Sequence, residues 1–337
     1  MRPLKFNLFI YLLLTAPAAR AEEIKGTCPL GREYYLYLPE KIDPDRTYWL
    51  VAGIHGRNGN GKNAGDLSEL SKNGRCIVVG PSFPKAHKVL ENQSDTQLIG
   101  LFKALAEKYK LHPKMFVTGF SAGGQFSQRF VFKYPDLVIG CAPHSSGTWM
   151  TGDDGGGVKF DDAIAGRIPF AISCGESDTG TATRDEFTPE ILKRRIDWAR
   201  EFEALLKAKR FYFKAEYYPG VAHKISPGAK ALTQECFDLS VTGLHAQELK
   251  DVNALFAPVE DLIAAAKFTD AKARIEKLPA AYAELQAKQD AAKTQPASEI
   301  AGWHGNDSMR AELRGRTEAY VKEKTAELNA KLQRAPK

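Results

Sequence analysis

No apolar run in this chain of 337 residues is as long as the roughly 20 residues that a membrane-spanning helix needs. Cysteine is scarce. The five are Cys28, Cys76, Cys141, Cys174 and Cys236, without a C-x-x-C pair or a His/Cys cluster, so the common metal-ligand spacings are missing. No basic cluster with interleaved aromatics appears, and the net charge is only +6, which argues against nucleic-acid binding. The glycine-rich run His55-Gly56-Arg57-Asn58-Gly59-Asn60-Gly61 is not a phosphate cradle, because Lys62 is followed by Asn63 rather than Ser or Thr. Asp153-Asp154 lacks the alternating ligands and terminal Glu of an EF-hand. The expectation is therefore no cofactor, no metal, no nucleic acid and no stable membrane insertion.

The N-terminus reads as a processing segment. Arg2 and Lys5 precede the apolar core Leu8–Leu14, and Ala19-Arg20-Ala21 is a small-x-small cleavage site, which places a signal peptide at 1–21. The competing reading, an anchor, is disfavoured by the shortness of the run. Removing three basic residues lowers the basic count from 47 to 44 against 41 acids, and the net charge from +6 to +3. A secreted or periplasmic protein is expected. Export permits disulfides, but five cysteines leave at least one unpaired. Cys141 and Cys174 lie in apolar strand candidates and read as buried small hydrophobes.

The middle of the chain alternates strands with helices, the pattern of a mostly parallel sheet covered on both faces. Strand candidates are Tyr48–Ile54, Cys76–Gly80, Met115–Thr118, Val138–Ala142, Ile168–Cys174 and Phe211–Tyr217. A helix opening at Ser94-Asp95 behind a cap residue carries Leu98, Phe102, Leu105 and Tyr109 at helical spacing. A second, opening at Thr188-Pro189-Glu190, lines up Leu192, Ile196, Ala199, Phe202 and Leu206. Beyond about Leu244, Ala, Lys, Glu and Gln dominate and strand signals vanish. Leu249, Val252, Phe256, Val259 and Ile263 recur at helical spacing, so two or three antiparallel helices are expected at 246–337, with the main domain at 22–245. Such polar helices gain little alone and should pack on the main domain, mediate self-association or bind a protein partner.

One stretch carries chemistry. Gly119-Phe120-Ser121-Ala122-Gly123 follows an apolar strand and opens a helical pattern, Gln125–Phe132. Strand, sharp turn and helix with a serine at the turn is the layout of a nucleophile elbow, whose glycines let strand and helix approach closely. The Ala122 N–H at the helix start can face a developing oxyanion. An acid and then a histidine must follow. Asp178 lies in the polar turn after the 168–174 strand, with Glu176 as the second choice and an Asx turn as the structural alternative. His223 sits on a loop beyond the 211–217 strand and is the base candidate. His245 and His304 also follow Asp178 but lie in polar, helical sequence. A second oxyanion donor is expected at Gly56 or Arg57, at the end of the 48–54 strand, with His55 orienting that loop. The segment from Gly147 to Gly166 takes the place of a lid or specificity loop. Trp149 and Phe120 are placed as substrate-binding residues, and anchoring the loop is the alternative for Trp149.

In this combination the chain resembles the secreted α/β-hydrolase esterases related to polyhydroxybutyrate depolymerases and feruloyl esterases. The matching segments are Arg32–Pro39, Ile54-His55-Gly56, Gly119–Gly124, Gly175-Glu176-Ser177-Asp178 and Gly220-Val221-Ala222-His223, in family order from about Arg32 to Leu239. The resemblance implies an α/β-hydrolase fold with Ser121, Asp178 and His223 as triad and Ala122 and the Gly56 region as oxyanion donors. It does not reach the helical C-terminal appendage. Members often carry Trp-Pro-Gly after the histidine; here the run is Lys224-Ile225-Ser226-Pro227-Gly228, which puts the substrate-side wall in question. The expected activity is serine carboxylester hydrolysis through an acyl-enzyme, on acylated polysaccharide, hydroxycinnamoyl or polyester-type esters. The alternatives are a serine peptidase or acyltransferase on the same fold, or a non-catalytic binding protein working through its C-terminal helices.

Overall fold

The computed structural model describes residues 22–334 apart from 29–30, 73, 85–91, 150–157, 181–192, 293–298 and 306. The segment 1–21, the Asp153-Asp154 pair and the helix start expected at Thr188 lie outside the described residues.

Strands β1 (Glu22–Thr27), β2 (Glu33–Leu38), β3 (Tyr48–Ile54), β4 (Cys76–Pro81), β5 (Leu111–Phe120), β6 (Val138–His144), β7 (Phe170–Gly175), β8 (Phe213–Tyr218), β9 (Glu299–Ile300) and β10 (Trp303–His304) form one sheet. Their order is β1-β2-β4-β3-β5-β6-β7-β8-β10-β9. The six central strands, β4 to β8 in that order, run parallel, and antiparallel pairs close both edges. Strands β4, β6 and β7 are buried along their whole length, because both faces are covered; that is why they read as continuous apolar runs.

The helices are α1 (Glu69–Lys72), α2 (Ser94–Lys108), α3 (Ala122–Lys133), α4 (Arg195–Ala208), α5 (Pro227–Thr242), α6 (Ala246–Ala264), α7 (Phe268–Ile275), α8 (Leu278–Ala292) and α9 (Asp307–Gln333). Alternation along β3 sends Leu50, Ala52 and Ile54 to the face covered by α2, α3 and α4, and Val51 to the face covered by α5 and α9. Helix α2 starts where expected, but Gln93 holds the cap position in a left-handed backbone (φ 51°) with no side-chain capping bond. Helix α5 has a conventional start: the Ser226 hydroxyl accepts from the Ala229 N–H and Pro227 fills the first turn. The run that departs from the family pattern after His223 is therefore the cap of this helix.

All five cysteines are buried thiols, none of them paired. The C-terminal region corrects one expectation. Its described residues contain four helices rather than two or three, and they include strands where the sequence shows none: the β9–β10 hairpin extends the sheet beyond β8. Trp303 is fully buried, stacks on Tyr212 with ring centroids 5.6 Å apart, and donates its indole N–H to Glu235 at 2.8 Å. Arg316 of α9 donates to the carbonyls of Ile139, Ser240 and Arg167. These bonds satisfy a cation that is only 8 % exposed, and they tie α9 to the sheet. Helices α6 to α9 otherwise share an apolar cluster of their own, built on Val252, Phe256, Val259 and Leu328, and form an appendage on the sheet domain. No described helix is long and apolar enough to cross a membrane.

Candidate active site

Strand β5 ends at Phe120 and α3 begins at Ala122, so one residue makes the whole turn. That residue, Ser121, has φ 57° and ψ −119°, a conformation rarely adopted by a side-chain-bearing residue and costing about 1–3 kcal/mol. Its N–H donates to the His144 carbonyl at 3.0 Å. The flanking glycines are steric necessities. A Cβ at Gly119 would overlap the Gly123 carbonyl, and one at Gly123 would overlap the Ile54 carbonyl.

The Ser121 Oγ lies 2.9 Å from His223 Nε2, and His223 Nδ1 lies 2.7 Å from Asp178 Oδ2. The three residues come from the ends of β5, β7 and β8, adjacent regions of one sheet edge. Backbone bonds lace the two later loops together: Glu176 N–H donates to the Tyr218 carbonyl and Ser177 N–H to the Val221 carbonyl, each at 3.0 Å. Asp178 is 1 % exposed whereas Glu176 is exposed to solvent, so burial distinguishes the two carboxylates of this turn. His245 and His304 are elsewhere. His245 bonds the Tyr212 hydroxyl at 3.0 Å, and His304 stacks on Phe213.

Asp178 has a second partner that no sequence signal announced. Its Oδ1 is buried without a hydrogen bond, and Arg195 Nη1 approaches it at 3.6 Å while donating to the Gly180 carbonyl at 3.1 Å. Arg195 opens α4, so the guanidinium and the helix start both face the acid. Removing the cation leaves a buried carboxylate held only by His223 and by a long contact from the Cys174 thiol at 3.9 Å. Arg195→Met is expected to lower kcat by about 10- to 100-fold with KM little changed, and Arg195→Lys to recover part of the loss. An equal response of KM and kcat would assign Arg195 to substrate binding instead.

At the end of β3, His55 organises the loop. Its Nε2 accepts the Phe83 N–H at 2.8 Å, which puts the ring proton on Nδ1, 2.7 Å from the Gly56 carbonyl. Burial lowers its pKa, in keeping with this neutral tautomer. Gly56 comes close to Ser121: a Cβ there would stand 3.4 Å from Ser121 Cβ. Ala122, at the first position of α3, and Gly56 thus border the serine from two sides, and Arg57 follows Gly56 in the same loop. The Phe120 ring lies 4.5 Å from that of His223 and lines a cavity of about 460 Å³ that also touches Gly56, Arg57 and Lys224. Trp149 is not among the residues lining it. Its indole packs on Phe160 and Phe202 and donates to Glu201 at 3.2 Å. Cys174, whose thiol burial pushes up to about 11, is no competing nucleophile.

His144 lies beneath the elbow, fully packed. The Thr233 hydroxyl donates to Ala229, so it accepts from His144 Nε2–H at 2.7 Å, and the Ser173 hydroxyl meets Nδ1 at 2.7 Å. Burial lowers this imidazole from 6.5 to about 4. Between those values the unfolded chain binds a proton that the folded chain refuses. Stability is therefore full above about pH 6.5 and is lost as pH falls toward 4, by about 3 kcal/mol from this group. Urea midpoints at pH 7.0 and 4.5 should show a smaller drop for His144→Gln than for the wild type. Equal drops would remove His144 as the source.

No protein-family model matches the chain. The "Probable feruloyl esterase C" of Aspergillus clavatus is 29% identical over 136 residues, 37% of this chain and 50% of that protein. Feruloyl esterase C of Emericella nidulans is 33% identical over 107 residues, 29% of this chain and 40% of its own length. The chain thus spans half or less of these curated relatives. Among solved structures, a ferulic acid esterase from Anaeromyces mucronatus with ferulic acid bound superposes with a TM-score of 0.50 at 18% identity, over 64% of this chain and 90% of that one. This is the α/β-hydrolase fold. A poly(3-hydroxybutyrate) depolymerase from Bordetella parapertussis is similar at 20% identity and TM-score 0.48, over 69% and 94% of the two chains. The fold is the one seen in that ferulic acid esterase.

Proposed function

We propose that the protein is a serine carboxylester hydrolase with Ser121, His223 and Asp178 as its triad. The observation that carries this reading is the unbroken chain from Ser121 Oγ to His223 Nε2 and from His223 Nδ1 to Asp178 Oδ2, mounted on a strained elbow. His223 takes the serine proton as Oγ attacks the ester carbonyl, and Asp178 stabilises the imidazolium. The N–H groups of Ala122 and of Gly56 or Arg57 receive the oxyanion. His223 then protonates the leaving alcohol, and water, deprotonated by the same imidazole, releases the acid. Hydroxycinnamoyl, acylated polysaccharide and polyester-type esters are the substrates that the relatives suggest. Residues 1–21 are removed on export to a secreted or periplasmic location, 22–245 carry catalysis, and 246–337 support the domain.

The test is hydrolysis of 4-nitrophenyl esters of graded chain length, with feruloyl and polymeric esters beside them, by the wild type and Ser121→Ala. Turnover that depends on Ser121 supports the reading. A folded wild type without any such turnover ends it.

A further inference from the structure

The cavity lined by Gly56, Phe120 and His223 carries a charge that ester hydrolysis does not use. Four charged side chains line it: Arg57, Asp66, Lys224 and Lys230. Asp66 and Lys230 neutralise each other in a 2.8 Å ion pair between the 3-10 turn after β3 (Gly61–Leu67) and α5. Arg57 and Lys224 are exposed, and neither has an ion-pair partner among the described residues. The proposed oxyanion role at residue 57 belongs to its backbone N–H, which leaves the guanidinium free to act on something else. Lys224 directly follows the proposed base. Two uncompensated cations thus stand on the loops after β3 and β8, the same two loops that bring Gly56 and His223 to the nucleophile.

We propose that the site takes esters bearing a carboxylate a few bonds from the scissile bond, held by Arg57 and Lys224. This deepens the serine esterase reading and rests on it. An Arg fork and a Lys ammonium both bind carboxylate, the first bidentately and the second as a point charge. Bound there, the carboxylate would also hold the ester against the elbow, since the cations come from the loops that frame it. The carboxylate has two sources. It sits on the acyl part in a hemiester of a dicarboxylic acid, and on the alcohol part in an ester of a hydroxy acid.

Two matched pairs of probes separate these sources: 4-nitrophenyl hydrogen adipate against 4-nitrophenyl hexanoate, and 3-(butyryloxy)butanoate against its amide. In at least one pair the anionic probe should have a kcat/KM about tenfold above its neutral partner at 10 mM salt. That ratio should fall toward one at 1 M NaCl, as the Debye length shortens from about 30 Å to about 3 Å. Lys224→Gln and Arg57→Gln should each reduce the ratio about threefold or more, and Lys224→Glu should bring it below one. Lys288→Gln on α8, which removes the same charge far from the cavity, should leave it unchanged. The pair that responds identifies the side of the ester carrying the carboxylate. Ratios at or below one in both pairs, with Ser121-dependent turnover of the neutral probes intact, would overturn the charge assignment and leave the esterase standing. Absence of Ser121-dependent turnover on every probe would remove both.

Discussion

Ser121→Ala is expected to lower kcat/KM on any ester that the wild type hydrolyses by about 10⁶-fold, with the thermal midpoint essentially unmoved. The size of the loss follows from the role. Without Oγ there is no acyl-enzyme, and His223 has nothing to deprotonate. Alanine keeps the Cβ and therefore the φ of 57° at the elbow, so the change tests chemistry rather than folding. The double variant Ser121→Ala/His223→Ala should be no slower than Ser121→Ala alone, because the two side chains act as one unit. Additive losses would mean that His223 serves some step that does not pass through Ser121. A folded Ser121→Ala protein that retains more than about a hundredth of wild-type turnover would exclude the elbow serine as nucleophile.

Asp178→Asn should cost about 10⁴-fold in kcat. The substitution is nearly isosteric, and the site remains buried at 1 % exposure beside Arg195, so the fold has little reason to change. What changes is the proton on the imidazole. The carboxylate accepts from His223 Nδ1, which leaves Nε2 free to receive the Ser121 proton. An amide that turns its NH₂ toward Nδ1 forces the other tautomer, with Nε2 protonated and unable to act as a base. Glu176→Gln is the matched control. Glu176 lies two residues away in the same turn but is exposed, and its replacement should leave kcat within about twofold. If Glu176→Gln proved the more damaging, the acid would have been misassigned despite the 2.7 Å bond.

Much of the fold can be read from local pattern. The strand expected at Tyr48–Ile54 is β3 to the residue, because a parallel strand buried everywhere but at Trp49 leaves an unbroken apolar run. The elbow is equally legible, since the glycines stand two residues either side of Ser121; a Cβ at Gly119 would meet the Gly123 carbonyl within the turn, while the need for glycine at 123 comes from Ile54 on β3. Strand β5 starts at Leu111, four residues before its apolar run, because its first turn of chain is half-exposed and polar. The hairpin β9–β10 escaped entirely. Strands of two residues have no period, and the burial of Trp303 depends on Tyr212 and Glu235, residues distant in the chain.

The sequence by itself determined the six parallel strands, helices α2 and α3, the serine on its turn, and the placement of Asp178 and His223 on loops that follow strand ends. Those features arise from rules that act over a few residues: side-chain period, cap chemistry and glycine sterics. Tertiary structure alone decided which candidates meet. Ser121 and His223 are 102 residues apart, and strand order brings them to 2.9 Å. It also separated Asp178 from Glu176 by burial and set Arg195 against the carboxylate. Trp149 packs half-buried beside Phe202, while Arg57 and Lys224 line one cavity without an ion-pair partner among the described residues. The physical reason is that contact between distant side chains depends on how the sheet stacks its strands and where its loops cross, and no local period encodes that.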